Sequence, residues 1–460
     1  MNNRSNASRL GKEPVKKLLL RLSIPATIGL IVSTSYNLVD TIFVGRLGIA
    51  AISALSIVFP IQMILAGIAN GMGIGSQSLI SRLLGKNQSI KASHAAGNSI
   101  ILAAIFGIIA TLIGLFFSEN IIRFFISDPN IINLGAAYVR IILLGSFSLF
   151  YLRAGLNILR AQGNYLLPMF ILILTATFNI ILDPILIFGL WKFPAMGVEG
   201  AAIATVASRI ISCIMVTVIL FSKINEVDIR LKGFAFNTKI IRDISIVGVP
   251  TIMVQLIMSI TIAGTNKILE GLPLNAVYIA IIGIYFKLQS FVLTPMLGLN
   301  RSFVPIIGYN YGAKNYDRIK EALKIAMLFS IFVSFIAFLA FQLIPGELIK
   351  LFNSNSLLVN TGIEAFHRMN LIFFVVGPAI IVISFFQGIG KAIKVFVVLA
   401  IRQIIVFFPI LFLLTVQSGH PTLWFAFPIS DSIAIIVGVI LTFPDLKKLG
   451  IIDMLLTHKP

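Results

Sequence analysis

The sequence predicts an all-α polytopic membrane protein, with twelve transmembrane helices in two six-helix bundles related by a pseudo-two-fold axis along the membrane normal. Composition, the placement of basic residues and an internal repeat carry that expectation. Of the 460 residues, 58% are hydrophobic and only 12% are charged, with mean hydropathy +1.01. A soluble domain carries roughly 25% charged residues, so this chain could not cover its surface in water. In a bilayer, backbone N–H and C=O groups must pair within the protein, which leaves helices or closed barrels. Barrel strands alternate apolar and polar residues. Here the apolar runs are continuous, as from Ile100 to Phe117, so helices are expected.

A span needs about 20 apolar residues. Such runs occupy 17–44, 51–80, 92–117, 133–157, 165–190, 198–222, 243–268, 275–299, 321–345, 360–386, 393–416 and 423–445. The first follows a basic stretch but is too long for a cleaved signal peptide. Pro25, Pro60, Pro168, Pro184, Pro250, Pro295, Pro378, Pro409 and Pro428 fall within spans and mark possible kinks.

Net charge is +19, from 36 Lys+Arg against 17 Asp+Glu. On a soluble chain that would suggest nucleic acid. Here, placing the N-terminus inside collects the basic residues on one face. That face takes the N-terminal Arg and Lys residues, Arg82 to Lys91, Arg153 and Arg160, the segment 223–242, Arg301 to Lys324, Lys391 and Lys394, and Lys447 and Lys448. The other face keeps Arg46, Arg123, Lys192, Lys267 and Lys350. Basic residues favour the cytoplasmic side, so both termini are expected to be cytoplasmic, in a multi-pass plasma-membrane protein with no nucleic-acid partner.

The chain repeats itself. LSIPATIGLIVSTSYNLVD (22–40) resembles VGVPTIMVQLIMSITIAGT (247–265), with Pro25 against Pro250. RLLGKNQSIKAS (82–93) matches NYGAKNYDRIKEA (310–322), and ILRAQGN (158–164) matches FFQGIGK (385–391), at an offset close to 225. An even number of helices per copy makes both copies run in the same direction, as in transporters built from parallel repeats. The expected domains are an N-terminal lobe 1–222, a cytoplasmic linker 223–242 and a C-terminal lobe 243–460.

Ionisable residues inside hydrocarbon cost about 2.5–3.5 kcal/mol and call for a reason. Asp40 lies in the first span and Asp183 in the fifth. Each is about 27–28 Å along its helix from the basic end, so the two share a level. Tyr36 and Asn37 precede Asp40 on its face, as Asn179 and Thr175 precede Asp183. Two carboxylates in a poorly hydrated pocket repel each other, which suits them to taking up a proton. A Na+ between them, with Asn179 and a hydroxyl completing an oxygen shell, is the alternative occupant. A purely structural reading pairs each acid with Arg140 or Arg209.

The second half differs: Thr265 stands opposite Asp40, and Ile410 near the position of Asp183. Its buried polar residues include Gln255, Lys287, Gln289, Arg402, Gln403 and Asp431. Lys287–Asp431 or Arg402–Asp431 would make an internal ion pair with a structural role. Tyr36, Asn37, Gln255 and Lys287 are candidates to line a substrate cavity. Gly67, Gly71 and Gly75 form a small-residue stripe that permits close helix approach. It is not a phosphate loop, because no Gly-Lys-Ser/Thr closes it. ATP-driven pumping is therefore not expected, and no clustered catalytic set points to an enzyme. Cys213 is the only cysteine, so no intramolecular disulfide is possible.

SYNLVDTIFVGRLG (35–48), RLLGKN (82–87), ILRAQGN (158–164), FNIILDPILIFG (178–189), MGVEGAAIATVAS (196–208), GYNYGAKN (308–315) and QGIGKA (387–392) together resemble multidrug and toxic compound extrusion (MATE) transporters. The paired acids Asp40 and Asp183, with Asn179 beside them, resemble the DinF-like branch. That resemblance implies Thr205 as a further ligand of the same site. It also implies a bend at Pro25 coupled to protonation. NorM-like members carry an acid where this chain has Gln255, so their Na+ site in the second lobe is not carried over. The resemblance implies antiport without a cofactor: H+ or Na+ enters as an organic, often cationic or amphipathic, compound leaves. The expected unit is a monomer whose partners are small organic molecules and membrane lipid. A flippase for lipid-linked oligosaccharides or lipids in the same superfamily is the alternative, favoured by Arg140, Arg153, Arg209, Lys287 and Arg402.

Overall fold

The structure, a computed structural model, describes residues 6–47, 49–124, 129–222, 225, 227, 236–270, 272, 275–352, 355–417 and 422–448. A short helix α1 (Asn6–Lys12) leads into α2 (Val15–Gly45), α3 (Ile49–Gly85), α4 (Ser89–Arg123), α5 (Pro129–Leu144), α6 (Ser146–Ala161), α7 (Leu166–Phe188) and α8 (Gly197–Leu220). The second half comprises α9 (Thr238–Glu270), α10 (Asn275–Gly312), α11 (Tyr316–Leu343), α12 (Pro345–Lys350), α13 (Ser356–Met369), α14 (Val376–Gly388), α15 (Ala392–Ala400), α16 (Phe407–Gln417) and α17 (Ala426–Lys448). Of the expected linker, Asn225, Val227 and 236–242 are described, and 238–242 already belong to α9.

Among the described residues, nine helices are long and apolar enough to cross a membrane, and eleven spans result when each bent pair counts as one. The helix α2, which holds Arg21 near its start and Asp40 near its end, fills the place of the remaining predicted span. With α2 the described helices supply the twelve expected spans, six in each half.

The helices are built inside out relative to a soluble protein. On α4 the buried face is Ala92, Ala96, Ser99, Ala103, Gly107, Ala110, Gly114 and Ser118. Its exposed face is Ile105, Ile108, Ile109, Leu112, Leu115 and Phe116. Small residues let helices approach closely, and lipid solvates the large ones as well as protein would.

The repeat is visible in backbone geometry. Asn87 and Lys314, which follow α3 and α10, both take φ 57°. Gly163 and Gly390 take φ 79° and 82°. The same separation of 227 positions (87 to 314, 163 to 390) relates both pairs. The N–H groups of Gln88 and Asn315 reach back to Leu83 O and Asn310 O in matching helix-closing bonds. The fourth span of each half is broken, by 45° between α5 and α6 and by 54° between α13 and α14. In the second half, a π-helical turn at Ile401–Val406 separates α15 from α16, and Thr261 donates to Gln403 Oε1 there at 3.2 Å.

The two halves meet along α3, α9, α2 and α10. The glycine stripe works here as expected. A Cβ on Gly71 would stand 2.4 Å from Ile252 Cγ1, and one on Gly75 would stand 2.3 Å from Ile244 O. Nearer the helix ends, a Cβ on Gly85 would stand 1.9 Å from Tyr309 O. Hydrogen bonds joining the halves gather at this end, which bears the basic clusters. Gln77 Nε2 and the Tyr165 hydroxyl both donate to Arg301 O, and Ser78 Oγ donates to Gln387 O. Asn310 Nδ2 donates to Leu10 O at 2.9 Å, and Arg318 Nη2 donates to Glu13 O at 2.6 Å.

Overpacking a tight contact costs about 1–3 kcal/mol. Gly85→Ala sets a methyl against backbone rather than a flexible side chain. We expect a lower Tm for the purified variant. An unchanged Tm would mean that the seam yields freely.

Candidate functional site

The polar residues of the first lobe converge from several helices. On α7, helical spacing places Thr175, Asn179 and Asp183 on one buried face. On α8, Thr205, Ser208 and Ser212 do the same. Asn179 and Asp183 are fully buried, and Asp40 is 8% exposed near the end of α2. Asn179 Nδ2 donates to Asp183 Oδ1 at 3.2 Å and lies 3.5 Å from Thr205 Oγ1. Just below, the hydroxyls of Thr175 and Ser212 share a hydrogen bond. Asp40 and Asp183 lie within electrostatic range of each other.

Asp40 Oδ1, Asp183 Oδ2 and Asn179 Oδ1 are buried and have no hydrogen-bond partner among the described residues. An unsatisfied buried acceptor costs on the order of 1–3 kcal/mol, and more when charged. Such a set of carboxylate, amide and hydroxyl oxygens fits a proton or a hard cation such as Na+.

Two further groups reach the acids. Arg209 of α8 lies within electrostatic range of Asp40 without forming a direct ion pair, and its Nη1 is buried without a partner. Tyr138 of α5 is 2% exposed and within range of both acids. Gln62 Nε2 donates to the Tyr138 hydroxyl at 3.1 Å. Sequence reasoning missed Tyr138 and Gln62, for each is a lone polar residue in an apolar run. Arg209 shares a face with Thr205 at i,i+4, and that spacing was the available signal. Arg140 is exposed and donates to Ser118 Oγ at 3.3 Å, so it is not the acids' partner.

The remaining candidates scatter. Tyr36 is half-buried within range of Arg153, which lies close to Arg209. Asn37 has its side chain outside the described residues. Gln255 is half-buried on α9 against Gly67, at the seam between the lobes. Lys287 is exposed on α10 and takes no part in the second lobe's ion pair, which Arg402 and Asp431 form instead. Thr265, opposite Asp40 in the repeat, is buried and satisfied by donating to Thr261 O at 2.7 Å.

The MatE family model matches residues 25–185 and again 250–413, opening at Pro25 and Pro250. The chain belongs to the MATE transporter family. Its relatives include the multidrug export protein MepA of Staphylococcus aureus (strain MRSA252), 27% identical over 436 residues that make up 94% of each chain. An FAD transporter of Shewanella oneidensis is 28% identical over 346 residues, 74% of this chain and 75% of that protein. Among solved structures, an outward-facing multidrug resistance MATE transporter superposes with TM-score 0.87 at 27% identity, covering 98% of this chain and 99% of the other. A MOP superfamily transporter from Pyrococcus furiosus, described as having a binding pocket of reverse polarity, superposes with TM-score 0.88 at 26% identity over 98% and 99%. MATE proteins are transporters and not enzymes, and this one is a multi-pass membrane protein built on the same frame.

In this MATE protein, Gln62→Leu leaves the buried Tyr138 hydroxyl without a donor, at a cost of about 1–3 kcal/mol. Adding Tyr138→Phe removes the stranded group. Thermal unfolding should show the double variant more stable than Gln62→Leu alone. A double variant no more stable than Gln62→Leu would show that the pair is not coupled.

Proposed function

We propose that this MATE transporter is a cation-coupled antiporter that exports organic, often cationic or amphipathic, compounds by alternating access. The observation that carries this reading is the set of unpaired buried oxygens on Asp40, Asn179 and Asp183, with the two acids within electrostatic range of each other. There Asp40, Asn179, Asp183 and Thr205 would hold the coupling ion, H+ or Na+, as in the DinF-like branch. Multidrug export by the MepA relative supports the direction and the broad substrate class.

The two repeats act as an N-terminal lobe (1–222) and a C-terminal lobe (243–460), in a monomer spanning the plasma membrane. Both termini are cytoplasmic, since the basic residues cluster on that side. The hydrogen bonds between lobes then seal the cytoplasmic end, and the central space opens outward. A cation entering from outside reaches the acids and neutralises them. Each charge crossing the full field gains about 2.3 kcal/mol per 100 mV. That is enough to bias two conformations separated by a few kcal/mol.

Asp40→Asn and Asp183→Asn keep side-chain shape while removing the charge. Both variants should express and fold yet lose efflux driven by an imposed ΔpH or Na+ gradient in proteoliposomes. Undiminished gradient-driven efflux in both would refute the site.

A further inference from the structure

Toward the basic end from the acids lies a cluster of opposite sign, in which Arg160 is buried and Arg153 and Arg301 are half-buried. Arg153 and Arg160 sit two turns apart on one face of α6, about 10 Å along the helix. Arg301 comes from α10, in the other half of the repeat, and lies within electrostatic range of both. Arg160 is 4% exposed, and its Nε has no hydrogen-bond partner. Its Nη1 reaches only Asn157 Oδ1, at 3.5 Å. Among the described residues no ion pair involves any of the three, and the groups acting on them are each other, Arg209, Tyr36 and Tyr165. The Arg301 carbonyl is held by Gln77 and Tyr165, so its backbone is fixed where the lobes meet.

Three guanidinium groups within electrostatic range of one another, one of them buried and none in an ion pair among the described residues, repel each other at a cost that a bound anion would relieve. Guanidinium forks match oxyanion geometry, phosphate above all. We propose that Arg153, Arg160 and Arg301 form a phosphate-binding site for the exported compound, which is therefore an organic phosphate rather than a cation. This rests on the export function proposed above and gives that transporter its substrate class. The site draws on both lobes and lies at the sealed, basic end. When the lobes part there, the arginines line the mouth and capture the phosphate from the cytoplasm. Closure then brings Arg301 back against Arg153 and Arg160 around it. Arg209 lies within electrostatic range of both Arg153 and Asp40.

The test uses the full-length transporter in nanodiscs and two probe pairs. FMN against riboflavin differs by one phosphate on a soluble compound. Fluorescent phosphatidic acid against fluorescent diacylglycerol differs by one phosphate on a lipid. We expect at least tenfold tighter binding of the phosphorylated member of one pair, and that pair identifies a soluble or a lipid substrate. Arg160→Gln and Arg301→Gln should erase the preference, while Arg301→Lys, which keeps the charge, should retain part of it and controls for folding. Equal binding within both pairs, or a preference untouched by the Gln variants, overturns the proposal. Export of ethidium and of each phosphorylated probe, driven by ΔpH or Na+, is measured in parallel on wild type in proteoliposomes. Intact ethidium export with no phosphate preference sinks this inference alone, whereas absent export of every probe counts against the transport reading itself.

Discussion

Everything in this fold follows from the absence of water between the helices. In hydrocarbon a polar group is paired within the protein or it costs several kcal/mol. The chain meets that condition nearly everywhere by donating Ser and Thr hydroxyls back to the preceding helical turn, as Ser99, Thr175, Thr261 and Ser334 do. Twelve buried side-chain atoms among the described residues lack a hydrogen-bond partner, and three of the oxygens belong to Asp40, Asp183 and Asn179 of the first lobe. Asp183 is hydrogen-bonded to Asn179 and lies within electrostatic range of Asp40, the grouping proposed to take a transient cation.

The same constraint shapes the scaffold. Because lipid and protein solvate apolar side chains equally well, hydrophobic burial does little to hold the lobes together. Close backbone approach does more, and the glycines of α3 at positions 67, 71, 75 and 85 provide it against α9 and α10. Contacts made by small residues and a handful of hydrogen bonds are ones that two rigid lobes can exchange for another arrangement. The second lobe contains a satisfied Thr265 and an Arg402–Asp431 ion pair where the first has orphaned acids. The duplicated frame is thus symmetric in backbone and asymmetric in chemistry.

The span pattern was legible because the bilayer imposes it residue by residue. Helix ends were less so. The eighth span was expected over 275–299, yet α10 runs to Gly312. Its extension carries Arg301 and Asn310, which break the apolar pattern while packing across the lobe seam. The break within the fourth span falls at Gly145, and that within the tenth falls just after Met369, at Asn370 and ahead of the Pro378 expected to kink it. For the site, Asp40, Asn179 and Asp183 were readable as polar residues in apolar runs, and Thr205 followed from family resemblance. Tyr138, Gln62 and the nearness of Arg209 to Asp40 depend on which helices pack together, and that information is not local. Arg153 was noted as a basic residue that suits a flippase, but its grouping with Arg301 joins segments from the two halves and is not local information.

The central claim, that Asp40 and Asp183 share one cation site, is tested most directly by infrared difference spectroscopy of the purified protein while pH is stepped or Na+ is added. The account predicts a change in the protonated-carboxyl band that is reduced by either Asp40→Asn or Asp183→Asn and abolished by the double substitution. A carboxyl band indifferent to both ions, or one that persists in the double variant, would contradict it.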